Sequence, residues 1–113
     1  MDGLTTALTI AALDGLTARS EATAENIANA QTRGYRPMRV SFEQALAAAA
    51  ADGPAAVRAV QPSFSREIGP DASDLRLDLE LATASSTAAR YAALVELLNR
   101  RMQIEALAAS GVR

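Results

Sequence analysis

The polar residues best equipped for chemistry are crowded into one stretch, Glu25 to Pro37, which reads ENIANAQTRGYRP. Asn26 and Asn29 stand one helical step apart with Gln31 close behind, Gly34 and Tyr35 follow, and Arg33, Arg36 and Arg39 recur at every third residue. Carboxamides at helical spacing can set register across a packed interface, or satisfy orphan backbone groups at a helix end. A glycine beside a tyrosine suits a binding loop, or a helix C-cap followed by an aromatic that covers the helix end. Spaced arginines can grip nucleic-acid phosphates or lipid headgroups, and the plainer reading has them solvated or paired with carboxylates. The acidic pairs Asp71 with Asp74 and Asp78 with Glu80 carry oxygen ligands for a hard cation. The same residues also suit the positive end of a helix dipole, the commoner use of such a cluster.

Composition weighs against catalysis. The chain has no His and no Cys, which excludes Cys/His metal sites, thiol nucleophiles, Ser-His pairs and imidazole acid-base chemistry. Ser, Thr, Asp, Glu, Arg and Tyr remain, and nothing in their spacing converges on a site. No enzyme activity, cofactor, metal or small-molecule substrate is expected. All 11 basic residues are Arg, and the net charge is −2, a poor balance for a nucleic-acid binder.

The 113 residues give room for a single domain, 1–113. Among the apolar residues 27 are Ala and only 24 are Leu, Ile, Val or Phe. That share is close to the level at which chains stop building an independent core, so the core is expected to be completed by other chains. Arg19 is the first basic residue and Asp14 interrupts the early apolar stretch. A secretory signal peptide with a charged n-region is therefore not expected. No apolar run approaches the length of a membrane-spanning helix, so no direct membrane span is expected.

Three segments must position these residues. In the first, 1–31, Leu4, Leu8, Ala11, Gly15, Ala18 and Ala22 form a small-residue stripe with Leu13, Leu16, Thr23 and Ile27 beside it. That spacing predicts a helix over residues 4–30. Gly34 is expected at its C-terminal cap, and Pro37 biases Arg36 away from the α region.

The second segment, 32–74, holds the turn, a short helix and a variable middle. Ser41 is the N-cap candidate of the short helix, Phe42, Ala45 and Leu46 give it one apolar face, and Asp52-Gly53-Pro54 stops it. From 55 to 73 the pattern weakens. Val57 to Val60 and Phe64 to Arg66 are brief strands or loop that orders against a partner.

The third segment, 75–109, predicts a second long helix with Ser73 or Asp74 as N-cap candidate. Ala84, Ala88, Tyr91, Val95, Leu98 and Met102 form its stripe, flanked by Leu94, Leu97, Ile104 and Leu107. The expected fold is all-α: two long terminal helices packed stripe to stripe as a coiled-coil-like pair, joined by a short helix and an irregular or partly extended middle.

So arranged, the chain resembles the bacterial flagellar basal-body rod proteins, specifically the proximal-rod FlgB type. The run Asn26-Ile27-Ala28-Asn29-Ala30-Gln31-Thr32-Arg33-Gly34-Tyr35 is similar to that family's N-terminal motif. Val40, Phe42, Ala45 and Leu46 follow a family-like pattern, and the C-terminal match is RYAALVELLNRR, Arg90 to Arg101. The likeness covers both ends and not the middle. Gln31, Arg33 and Arg76 depart from it: an acidic residue and proline are usual at the first two positions and a capping Asn near the third.

The resemblance implies a structural subunit exported without cleavage through the flagellar type III channel. It would polymerise helically through its terminal helices into the periplasm-spanning rod that transmits torque. The implied partners are copies of itself, other rod proteins, the export gate and hook-basal-body adaptors. The implied assembly residues are Asn26, Ile27, Asn29, Gly34, Tyr35, Phe42, Tyr91, Leu94, Val95, Leu98 and Met102. The alternative is a small cytoplasmic adaptor or regulator that binds one partner helix. Whether Asn26 and Asn29 meet their own C-terminal helix or the next subunit is left open by the sequence.

Overall fold

A computed structural model of the chain describes residues 3–69 and 76–111. The elements run α1 (Gly3–Ala28), β1 (Met38–Ser41), α2 (Glu43–Ala50), α3 (Pro54–Arg58), β2 (Ser63–Arg66) and α4 (Leu77–Ala109). Helices α1 and α4 lie antiparallel. Asn26 meets Glu80 near one end, and Ala12 and Leu16 share a cleft with Ala93 and Leu94 further along. The molecule extends 64 Å along its longest axis and only 13 Å along its shortest.

The expected pair of long helices is present, but the fold is not purely all-α. β1 and β2 form a small antiparallel sheet in which Met38 opposes Arg66 and Val40 opposes Phe64. Met38 and Val40 fall on one face by the two-residue period of a strand. Val40 is buried beneath α1 and Met38 half-buried. The stretch from Val57 to Val60 is not a strand: α3 begins on Pro54 and carries Val57 fully buried. Proline at the first helical turn loses no bond, since that N–H has no intrahelical partner.

The chief correction concerns which faces meet. The buried apolar core is Ala7, Leu16, Ala22, Val40, Phe42, Leu46 and Val57, drawn from α1, β1, α2, α3 and the junction at Phe42, and not from α4. The small-residue stripe of α1 is covered largely by the middle of the chain. At Gly15 the Phe42 ring lies so close that an added Cβ would sit 2.5 Å from it. The neighbouring α1 row, Ala12, Leu16 and Thr23, lines clefts shared with α4. On α4 the buried residues are Glu80 and Thr87. Of the predicted stripe, Ala84, Val95 and Leu98 are half-buried, while Ala88, Tyr91 and Met102 are exposed.

Element ends also shift. α1 ends at Ala28, and Gly34 closes a separate turn with φ +76°, where the Tyr35 N–H donates to the Thr32 carbonyl at 3.2 Å. A left-handed residue there favours glycine. Ser41 finishes β1, and the N-cap of α2 is Phe42, whose own N–H donates to the Glu43 carboxylate at 3.4 Å. Arg76 precedes α4 as its N-cap in extended conformation. The candidates Ser73 and Asp74, together with Asp71, lie outside the described residues.

Candidate functional site

The two asparagines of the opening motif do different work. Asn29, at the end of α1, bonds locally: its amide donates to the Glu25 carbonyl at 2.9 Å and its oxygen accepts from the Thr32 hydroxyl at 3.1 Å. The same Glu25 carbonyl also accepts the Asn29 N–H at 3.0 Å, so the side chain reinforces the last helical bond and ties it to Thr32 in the following turn. Asn26, in the last turn of α1, is fully buried. Its oxygen accepts from the Met38 N–H at 2.9 Å and the Tyr35 hydroxyl at 2.7 Å, and its amide donates to the Met38 carbonyl at 3.0 Å and to Glu80 Oε2 at 3.2 Å.

The carboxamide of Asn26 thus takes both backbone groups of Met38, as a neighbouring strand would. One helical stretch earlier, Arg19 Nη2 donates to the Val40 carbonyl at 2.7 Å. Together they close the edge of β1 that β2 leaves open, and an unpaired edge is otherwise a template for aggregation.

Glu80 completes the joint from α4. Its side chain is buried, with Oε1 2.7 Å from Arg39 Nη1, while Arg39 Nε donates to Glu67 at 2.7 Å. A buried carboxylate is tolerable only when paired and hydrogen-bonded, and Glu80 has both. Among the described residues no buried side-chain nitrogen or oxygen lacks a partner. Tyr35 is held from the other side, with the Arg66 guanidinium 5.2 Å from its ring centroid.

A second ionic joint fixes the start of α2. Arg19 Nη1 and Nη2 donate to the two Glu43 oxygens at 2.6 and 2.8 Å, and its guanidinium stands 4.7 Å from the Phe42 ring centroid. Those hydrogen bonds, opposed by partial burial, lower the Glu43 carboxyl to about 2.

These pairings decide most of the chemical candidates. Arg39 is engaged with Glu67 and Glu80, while Arg33 and Arg36 are exposed. Asp78 pairs with Arg76 at 3.0 Å, and no group of three or more acidic residues is gathered for a metal among the described residues. Phe42 lies buried within its own chain, so it is a core residue and offers no surface to a neighbour. Ile27, Leu94, Val95 and Leu98 are half-buried, Gly34 exposed. Sequence reasoning missed Glu80 and Arg19, the two charged residues that lock α4 and α2 to α1. The signal available was weak: a carboxylate in the first turn of a helix looks like an ordinary dipole partner.

The remaining surface of note is the far part of α4. Every described residue from Asn99 onward is exposed. Leu97, Ile104 and Leu107 expose 47%, 61% and 63% of their surface and fall within one flank of the helix at 100° per residue. No described helix is long and apolar enough to cross a membrane. In comparisons with known proteins, no family, no characterised protein and no solved structure matches the chain.

Proposed function

We propose that the chain is a structural subunit of a helical assembly, the proximal flagellar rod that its terminal motifs resemble, exported from the cytoplasm and joined to its neighbours through its long helices. The observation that carries the reading is the open apolar flank of α4, where Leu97, Ile104 and Leu107 stand exposed. Large apolar residues gathered on one exposed flank mark a surface awaiting a partner. The joint built on Asn26, Arg39 and Glu80 suits the same role, because it ties α4 to the body of the subunit at the end opposite that flank.

The test is a labelled chain expressed in its own bacterium. The label should co-purify with isolated basal bodies at the mass of the uncleaved chain, and loss of residues 91–109 should abolish rods and motility. A label confined to the cytoplasm, or a motile strain with normal basal bodies after that deletion, overturns the reading. A cytoplasmic monomer that binds one partner helix reversibly would instead fit the adaptor alternative.

A further inference from the structure

A polar cleft of about 610 Å³ opens between α1, β1 and the first half of α4, a volume within the usual range of small-ligand sites. The side chains that line it from the two helices are mostly short: Ala22 and Thr23 from α1, and Ala82, Thr83, Ser86 and Thr87 from α4. Thr83, Ser86, Thr87 and Arg90 follow one another at steps of three, one and three, which keeps them on one face of α4.

Two of the hydroxyls stand out. Thr9, Thr17 and Thr83 each turn the side chain back to the carbonyl four residues earlier, the ordinary resting place of a helical threonine. Thr23 and Thr87 are only 3% and 4% exposed, and no hydrogen bond ties either hydroxyl to another described residue. Neither oxygen is sealed off, since every fully enclosed side-chain oxygen among the described residues has a partner. The little surface that Thr23 keeps opens on this cleft, which Thr87 also lines.

Charge selects what these hydroxyls meet. Arg19, Arg39 and Arg90 line the cleft, against one carboxylate, Glu80. Both Glu80 oxygens are taken, one by Arg39 and one by Asn26. Glu43 holds Arg19, and Glu67 is the second partner of Arg39. Arg90 has only Glu43 Oε2, at 3.9 Å, which is beyond hydrogen-bond length and already bound to Arg19, and its side chain is 63% exposed. Its guanidinium is therefore the cation of the cleft left with donors to spare.

We infer that this cleft binds an oxyanion, inorganic phosphate or a small phosphate monoester, with Arg90 as the charged clamp and the Thr23 and Thr87 hydroxyls donating to its oxygens. A guanidinium fork matches phosphate geometry, and hydroxyls add donors without adding charge. A bound cation would face three guanidiniums instead. Leu79, which lines the cleft and is 56% exposed, offers apolar surface to the organic part of an ester. The site lies on the near half of α4, apart from the open flank at Leu97, Ile104 and Leu107, and does not depend on the assembly reading.

The test is calorimetric titration of the purified full chain with inorganic phosphate and, separately, with glycerol 3-phosphate, at constant ionic strength. Each probe should bind saturably at a single class of site. Equal affinities assign the cleft to the free anion, and tighter binding of glycerol 3-phosphate assigns it to a phosphate ester. Arg90→Gln should weaken binding about tenfold or more, and Thr23→Val and Thr87→Val by up to about tenfold each. The two valine changes keep the side-chain shape and remove a hydroxyl without a protein partner, so urea unfolding in the absence of phosphate should show no loss of stability. Arg33→Gln, at an exposed arginine outside the cleft, removes the same charge and should leave binding unchanged.

An unmodified chain that binds neither probe saturably overturns the inference. So does equal weakening by Arg33→Gln and Arg90→Gln, or binding untouched by all three cleft substitutions.

Discussion

Asn26 shows how much one carboxamide can decide when every one of its hydrogen-bonding positions is used. Its four partners come from the turn, from β1 and from α4. Asn26→Ala should cost about 2–4 kcal/mol in urea unfolding, because it strands buried donors and acceptors. Asn26→Asp keeps the shape but sets a carboxylate against Glu80. Its penalty should shrink in a Glu80→Gln background, where the facing charge is gone. Equal penalties in the two backgrounds would show that Glu80 is not its charged neighbour. At Gly15 a methyl group would enter the space of the Phe42 ring. Gly15→Ala should therefore destabilise by about 1–3 kcal/mol, although alanine is the better helix former. In a double-mutant cycle with Phe42→Ala the two costs should be clearly less than additive.

At the scale of elements, α4 divides into a tethered half and a free half. Glu80 is the tether, and removing it leaves the Asn26 amide and one face of Arg39 without a partner. Glu80→Ala should cost about 2 kcal/mol, below the usual range for a broken buried pair, because Arg39 is partly exposed and keeps Glu67. Hydrogen exchange should accelerate first across residues 77–90. The free half contributes little to the folded monomer, since residues from Asn99 onward are exposed. Ending the chain after Arg101 should change stability by less than about 0.5 kcal/mol and still abolish self-association. A large loss of stability would mean that this half packs on its own body.

For the whole molecule, acid should loosen the attachment of α2 before it unfolds the helices. The folded Glu43 carboxyl, lowered to about 2 from 4.5 by Arg19, contributes stability that is fully present above about pH 4.5 and lost as pH falls toward 2. Glu43 is half exposed, so screening limits the effect to under about 1 kcal/mol. Glu43→Gln should flatten the pH dependence of stability in that window. An unchanged profile would place the acid sensitivity elsewhere.

Two long terminal helices and the break at Asp52-Gly53-Pro54 were legible in the sequence, because periodicity and Gly or Pro punctuation act over a few residues, while the first helix stopped at Ala28, two residues short of its expected end. The strand at Phe64 to Arg66 was visible only as one of two alternatives, and the matching strand at Met38 to Ser41 was not, since neither persists without the other. Which face of α1 meets which neighbour was decided by tertiary structure alone. Gly15 received an aromatic ring from the β1–α2 junction, and the next row turned toward α4. Glu80 belongs to the same class: it reads as a solvated helix-start acid until a residue 54 positions away, Asn26, takes it out of water. The sequence by itself determined the helices and the polar residues available for joining them. Only the fold decided which polar residues became joints, because a hydrogen bond between distant residues depends on where packing brings their backbones, and local pattern carries no record of that.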